Sequence, residues 1–224
     1  WSSIKDVNFW ELAWALDRQA ELCRGFVPQT FVGNHDVTRI ASQIGETGAA
    51  LAAALLFTLP GMPSIYYGDE RGVRGDKGEG ITADDGLRPA LPPEPGEGDR
   101  PWMYRLYQDL IGLRRRHPWI ARGEAAVLAK DNSWIEYEVR PSGDGGREGQ
   151  SNSGRDGAGH ANGGRDGAGH ANGGLTNGGH ANAGDALRVR IDLTPSAVAR
   201  ITDAAGNELF AWRGPEGGLS ADAP

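Results

Sequence analysis

Apolar positions change their period twice along the chain. Between Asp6 and Cys23 the residues Phe9, Leu12, Ala13, Leu16, Ala20 and Cys23 recur at three- and four-residue spacing, which places them on one face of a helix. Pro28 ends that segment, and a short β-prone run, residues 30–33, stops at the polar triplet Asn34-His35-Asp36. Residues 46–58 are alanine-rich and apolar on nearly every side, as expected of a helix packed among other elements, with Pro60-Gly61 as its terminator. Residues 63–68 predict a second short strand, followed at once by Asp69 and Glu70. Helix, strand, helix, strand in alternation predicts an α/β arrangement with parallel strands joined by helical crossovers. In such folds the polar residues just past the strand C-termini are the usual place for a site.

Residues 68–101 carry glycines, prolines and nine acidic side chains, too polar and interrupted for regular structure and long enough to be functional. A further helix follows, with Met103, Leu106, Tyr107, Leu110 and Leu113 on one face and Arg114, Arg115 and Arg116 at its C-terminal end, where cations suit the macrodipole. Pro118 closes it. From there the period becomes two: Ile135, Tyr137 and Val139 alternate with Trp134, Glu136 and Glu138, and Leu187, Val189, Ile191 and Leu193 alternate with Arg188, Arg190 and Asp192. Antiparallel strands with one wet face produce this pattern. The expected division is therefore 1–118 and 119–224.

Residues 142–184 interrupt the second part. They contain no apolar side chain larger than alanine except Leu175, so they are expected to form a disordered insertion in a surface loop. The decamer at residues 154–163 is copied unchanged at 164–173 and loosely at 174–183, placing His160, His170 and His180 ten residues apart. Flexible glycine spacers preorganise no metal geometry, so metal binding by these histidines is not expected.

The net charge of −7 without a basic patch argues against nucleic acid as a partner. The longest apolar run, residues 49–59, is too short to span a bilayer, so no membrane partner is expected. The single cysteine, Cys23, excludes an intramolecular disulfide framework and suits a reducing compartment, so a cytoplasmic location is the expectation. The chain opens at Trp1 without a methionine, a charged leader or an apolar leader, and is expected to be part of a longer polypeptide.

Phe31-Val32-Gly33-Asn34-His35-Asp36-Val37-Thr38-Arg39 resembles the F-x-x-N-H-D motif at the end of barrel strand seven in α-amylase-family glycoside hydrolases. At the spacing the family shows, residues 59–70 are similar to its P-G-x-P-x-I-Y-Y-G-D-E segment around strand eight. Residues 105–118 look like its final barrel helix and the exit into a C-terminal β domain. Two linked motifs in order make chance agreement improbable. The resemblance implies an α/β fold: the last part of a TIM (β/α)8 barrel, then a small antiparallel β-sandwich.

It further implies an enzyme acting on α-linked glucosides or glucans, with Asp36 as the third carboxylate of the catalytic set and His35 bonding sugar hydroxyls. Asn34 would brace the turn or touch substrate, and Arg39 would pair with a carboxylate or reach the sugar. A fixed anion beside the anomeric carbon stabilises the positive charge that develops there. Asp69 and Glu70 are expected to brace the loop after strand eight. Asp84, Asp85 and Arg88 are expected in a solvated acidic loop, with the lining of a glucan groove as the alternative.

Retaining hydrolysis needs a nucleophile and a separate acid/base about 5 Å apart, and in this family both follow earlier strands that the chain does not contain. The isolated chain is therefore expected to be inactive, its main partner the missing N-terminal part of its own barrel. No cofactor is implied, because the calcium this family often binds is held by an inserted domain absent here. The alternative function is a non-catalytic carbohydrate-binding or scaffold protein derived from the same barrel.

Overall fold

A computed structural model describes residues 1–22, 25–91, 100–142, 184–194 and 196–215. The first period yields two helices, α1 (Ser2–Lys5) and α2 (Phe9–Leu22). Asp6, Val7 and Asn8 lie outside both, with Val7 in the left-handed region at φ 49°. Phe9, Ala13 and Leu16 are buried as the spacing predicts, but Ala20 is exposed. Cys23 lies outside the described residues. The opposite face of α2 carries Trp10 and Trp14, both more than half exposed, with Lys130 over the first indole and Arg18 over the second.

The two predicted strands form but are shorter than their β-prone runs. β1 (Gln29–Thr30) pairs in parallel with β2 (Met62–Pro63), in the register Gln29 to Met62 and Thr30 to Pro63. The ladder consists of Met62 N–H to Pro28 carbonyl and Ser64 N–H to Thr30 carbonyl, both 2.7 Å. Pro63 has no N–H to extend it. Beyond the ladder Phe31 and Ile65 are left exposed.

Between these strands runs α3 (Ile40–Thr58), which starts six residues before the alanine-rich pattern and is broken at Ile44 and Gly45. Gly45 sits at φ +68°, a conformation glycine alone reaches without steric cost, so the straight part of the helix begins at Glu46 as predicted. Its residues from Gly48 to Thr58 are all buried. By length and composition α3 could cross a membrane, yet it is the core helix of this fold.

α4 (Pro101–Arg116) buries Met103, Leu106, Tyr107, Leu110 and Leu113, the face read from the sequence. Its Arg114 does more than match its own helix end. It donates to the carbonyls of Phe57 and Leu59 at 2.9 Å each and to that of Gly61, supplying donors to the exposed carbonyl end of α3.

The second period of two becomes a five-stranded antiparallel sheet in sequential order: β3 (Glu124–Lys130), β4 (Trp134–Arg140), β5 (Leu187–Asp192), β6 (Val198–Asp203) and β7 (Glu208–Arg213). Ile135, Tyr137, Val139, Leu187, Val189, Ile191, Ala199 and Ile201 are all fully buried on its inner face. The outer face is laced with ion pairs, among them Arg190 to Glu136, Arg188 to Glu138 and Arg200 to Glu208.

The expected β-sandwich is not what the described residues form. Beyond residue 118 they form one sheet, and helices rather than a second sheet cover its apolar face: α2 lies on β3, α3 on β5 and β6, and α4 on β7. Thr58 of α3 meets the Tyr137 hydroxyl at 2.5 Å, and Trp102 of α4 stacks on Trp212 of β7. One core therefore runs through both parts of the chain. The glycine-rich tract falls in the connection from β4 to β5. Val139 still pairs with Leu187 across it, so the insertion leaves the register intact. The decamer repeats and their histidines lie outside the described residues.

Candidate active site

The polar triplet at the end of β1 is shaped by its own first residue. Asn34 Oδ1 accepts the Asp36 N–H at 2.8 Å, an Asx turn. That turn leaves the side chains of His35 and Asp36 more than half exposed. Gly33, just before it, has to be small: a Cβ there would stand 3.3 Å from Asp69 Oδ2. The carboxylate after β2 thus sits directly beneath the turn after β1, as the α/β reading requires of residues past strand ends.

Arg39, three residues after Asp36, is buried, with its side chain fully inaccessible. It donates from Nε to the Leu87 carbonyl at 3.0 Å and from Nη1 to the Tyr67 carbonyl at 2.6 Å and Asp69 Oδ1 at 3.1 Å. Its guanidinium lies 4.0 Å from the Tyr66 ring centroid. Of the two roles the sequence left open, pairing with a carboxylate is the one formed, and burial closes off the reach to a sugar. Burial pushes the Asp69 carboxyl up to about 6, against the hydrogen bond and positive charge of Arg39, which pull it down. Glu70 accepts the Gly68 N–H at 2.8 Å. Both acids brace the loop, as expected.

Asp36 stands at the surface of this buried lock. Its Oδ1 is 3.2 Å from His35 Nε2 and 3.3 Å from Arg88 Nη2. Arg88 also donates to Asp84 Oδ2 at 3.0 Å and to the His35 carbonyl at 3.4 Å. From the other side Lys77 donates its Nζ to the Asp36 carbonyl at 2.7 Å and its N–H to Thr38 Oγ1 at 3.0 Å, with Nζ 3.6 Å from Asp84. The acidic loop is therefore not simply solvated. It folds into short 3-10 turns, Gly80–Thr82 and Asp85–Leu87, and closes over residues 34–38.

Lys77 was not legible as a neighbour of Asp36. The one signal in the sequence was the four-residue spacing of Asp84 and Arg88 around the apolar Leu87, which is fully buried. Asp85 is exposed on its turn. Among the described residues no group of three His, Cys, Asp or Glu side chains is placed to hold a metal ion.

Residues 1–91, which contain every side chain of this constellation, match the family model described as alpha amylase, catalytic domain. Over these residues the chain is similar to that family. The chain is 25% identical over 153 residues to a 4-alpha-glucanotransferase of Thermotoga maritima, covering 54% of this chain and 34% of that protein. It is 36% identical over 104 residues to a maltogenic alpha-amylase of Bacillus acidopullulyticus, covering 45% of this chain and 17% of that one.

The chain thus spans about a third or less of the length of these relatives. In fold it is similar to a cyclic alpha-maltosyl-(1→6)-maltose hydrolase from Arthrobacter globiformis, with a TM-score of 0.56 and 19% identity over 88% of this chain and 37% of the other. It is also similar to CldA, a cyclomaltodextrin glucanotransferase, with a TM-score of 0.58 and 19% identity over 89% of this chain and 33% of that chain. Both side-chain partners of Asp36 engage Oδ1, and Oδ2 carries no hydrogen bond to the described residues. An anion with one oxygen anchored and one free can face a centre of developing positive charge without reorganising.

Proposed function

We propose that the chain is the closing part of a larger retaining enzyme acting on α-linked glucans. Residues 1–118 complete a (β/α)8 barrel, and residues 119–224 form the β domain that follows it. Asp36 supplies a fixed negative charge beside the anomeric carbon as the ring flattens towards an oxocarbenium ion. His35 bonds sugar hydroxyls in the same subsite, Asn34 holds the turn, and Arg39 holds the strand ends in register from beneath. The nucleophile and the acid/base come from earlier strands. Asp69 and Glu70 are committed to bracing and cannot replace them.

The observation that carries this reading is the placement of Asp36. It is exposed in the turn that follows β1, with its Oδ2 unbonded among the described residues and its backbone held by the Asn34 side chain and Lys77. A second observation supports incompleteness: Phe26, Phe31, Met62 and Ile65, around the two-stranded parallel sheet, are exposed by 59%, 55%, 62% and 37%. Edges and faces of this kind are covered in a closed barrel.

In the whole polypeptide, Asp36→Asn is expected to lower kcat on maltooligosaccharides roughly 10²-fold or more while the melting temperature stays put. A near-normal rate would remove Asp36 from the mechanism. The isolated chain is expected to show no turnover in the same assay, and hydrolysis by it would overturn the missing-carboxylate argument.

A further inference from the structure

The outer face of α2 carries two side chains that the fold does not explain. Trp10 and Trp14 are exposed by 52% and 61%, and they are the only large apolar side chains that α2 exposes among the described residues. The helix needs neither of them. Phe9, Ala13 and Leu16 make its buried face, and tryptophan is only a middling helix former, so solvated positions favour lysine, glutamate or alanine. Two indoles one turn apart and facing water add apolar surface to the folded chain without adding to its core.

Both rings are nevertheless held in place. Arg18, one turn further along α2, lies over Trp14 at 4.9 Å from the ring centroid, and Lys130 of β3 lies over Trp10 with Nζ at 4.7 Å. The start of α2 is itself anchored to the connection between β3 and β4, where the Phe9 N–H donates to the Asn132 carbonyl at 3.1 Å. A cation over an indole restrains the ring through its quadrupole. A restrained ring loses less freedom when a ligand settles on it. Asp17, Arg18 and Glu21, all exposed, continue the same face at helical spacing.

The chemistry of this stripe points to its ligand. The exposed patch around the parallel strands mixes aromatic with aliphatic side chains, Phe26 and Phe31 with Met62 and Ile65, as an apolar protein face does. On α2 the indoles stand without exposed aliphatic neighbours of any size and are bordered by charges of both signs. A pyranose has matching halves: C–H groups on its ring faces for an indole, and hydroxyls at its rim for carboxylate, guanidinium and ammonium groups. Residues four apart on a helix have Cβ atoms about 5–6 Å apart, so the two indoles can take neighbouring rings of one chain.

We infer that Trp10 and Trp14, restrained by Lys130 and Arg18, form a surface that holds a polymeric α-glucan without reacting with it. None of these residues takes part in the constellation around Asp36. The choice of an α-glucan as ligand rests on the glucan-acting reading given above.

The test uses the whole polypeptide that carries this chain, with Asp36→Asn present throughout so that the polymer is not cleaved. Retardation in native gels containing amylopectin gives the affinity. Trp10→Ala and Trp14→Ala are each expected to weaken it roughly 3- to 10-fold, and the double variant roughly 10- to 100-fold, with melting temperatures unchanged. Trp14→Phe should lie between Trp14→Ala and the parent. Iodide quenching keeps the test independent of how the alanine variants fold: the parent should show quenchable emission that Trp10→Phe/Trp14→Phe lacks, and maltoheptaose should protect it.

Equal retardation of the parent and the double alanine variant would overturn the inference. So would indoles that iodide does not reach, since the rest of the polypeptide or a second copy then covers them. A parent that is not retarded also refutes the surface. If the polypeptide with Asp36 intact in addition leaves amylopectin uncleaved, the glucan-acting reading fails with it; if it cleaves amylopectin, only this surface fails.

Discussion

The two halves of this chain solve the burial problem differently. The five-stranded sheet is finished on its own terms: each inward side chain from β4, β5 and β6 is covered, Glu136, Glu138 and Arg200 on its outer face have cross-strand ion-pair partners, and these strands run six or seven residues. The two-stranded parallel sheet has two residues per strand and is surrounded by exposed Phe26, Phe31, Met62 and Ile65. What order it has comes from a polar lock, Arg39 with Asp69, Tyr66, Tyr67 and Leu87, in place of apolar cover. An antiparallel sheet of hairpins completes its hydrogen bonding locally, whereas parallel strands depend on neighbours that are distant in sequence. The region that carries the candidate site is the one left dependent.

That contrast can be broken. The largest effect is expected on solubility. Replacing Phe26, Phe31 and Met62 together by serine should suppress light scattering and dye binding by the isolated chain, while the exposed Leu128→Ser on β3 should change little. Equal effects would mean the apolar surface is not concentrated in the first half.

Next, Arg39→Ala leaves Asp69 as a buried unpaired acid and should cost roughly 3–5 kcal/mol in urea unfolding. The same lock gives a pH dependence of known sign. Asp69 titrates at about 6 when folded against an ordinary 3.8, so the folded state binds the extra proton in between. Its contribution is therefore fully present below about pH 4 and is lost as pH rises through about 6, by roughly 3 kcal/mol. Asp69→Asn should flatten that slope in urea midpoints measured from pH 4 to pH 7.

In the sheet half the expected effects are smaller. Tyr137→Phe removes one buried hydroxyl but leaves Thr58 bonded to the Ala54 carbonyl at 2.7 Å, so a loss of about 1 kcal/mol is expected. Arg200→Ala breaks an exposed pair with Glu208 and should fall within about 1 kcal/mol of wild type.

Local pattern determined much of this. The period of 3.6 marked the buried faces of α2 and α4, the period of two marked the inner face of β4 and β5, and the two linked motifs placed Asp36 and Asp69 after adjacent strands. Each is a property of neighbouring residues. The composition of the tract at 142–184 likewise marked it as an insertion between strands that pair across it.

What only the tertiary structure decided depends on residues far apart in sequence. Strand length in the parallel pair followed from which residues faced each other, and helices rather than a second sheet covered the C-terminal sheet. Arg39, polar and next to a surface motif, turned inward because Asp69 and two tyrosines from β2's end awaited it there. Arg88 and Lys77 met Asp36 because the loop carrying them is tied to that lock. Periodicity reports which face of an element is apolar; it carries no information about which distant charge will fold against it.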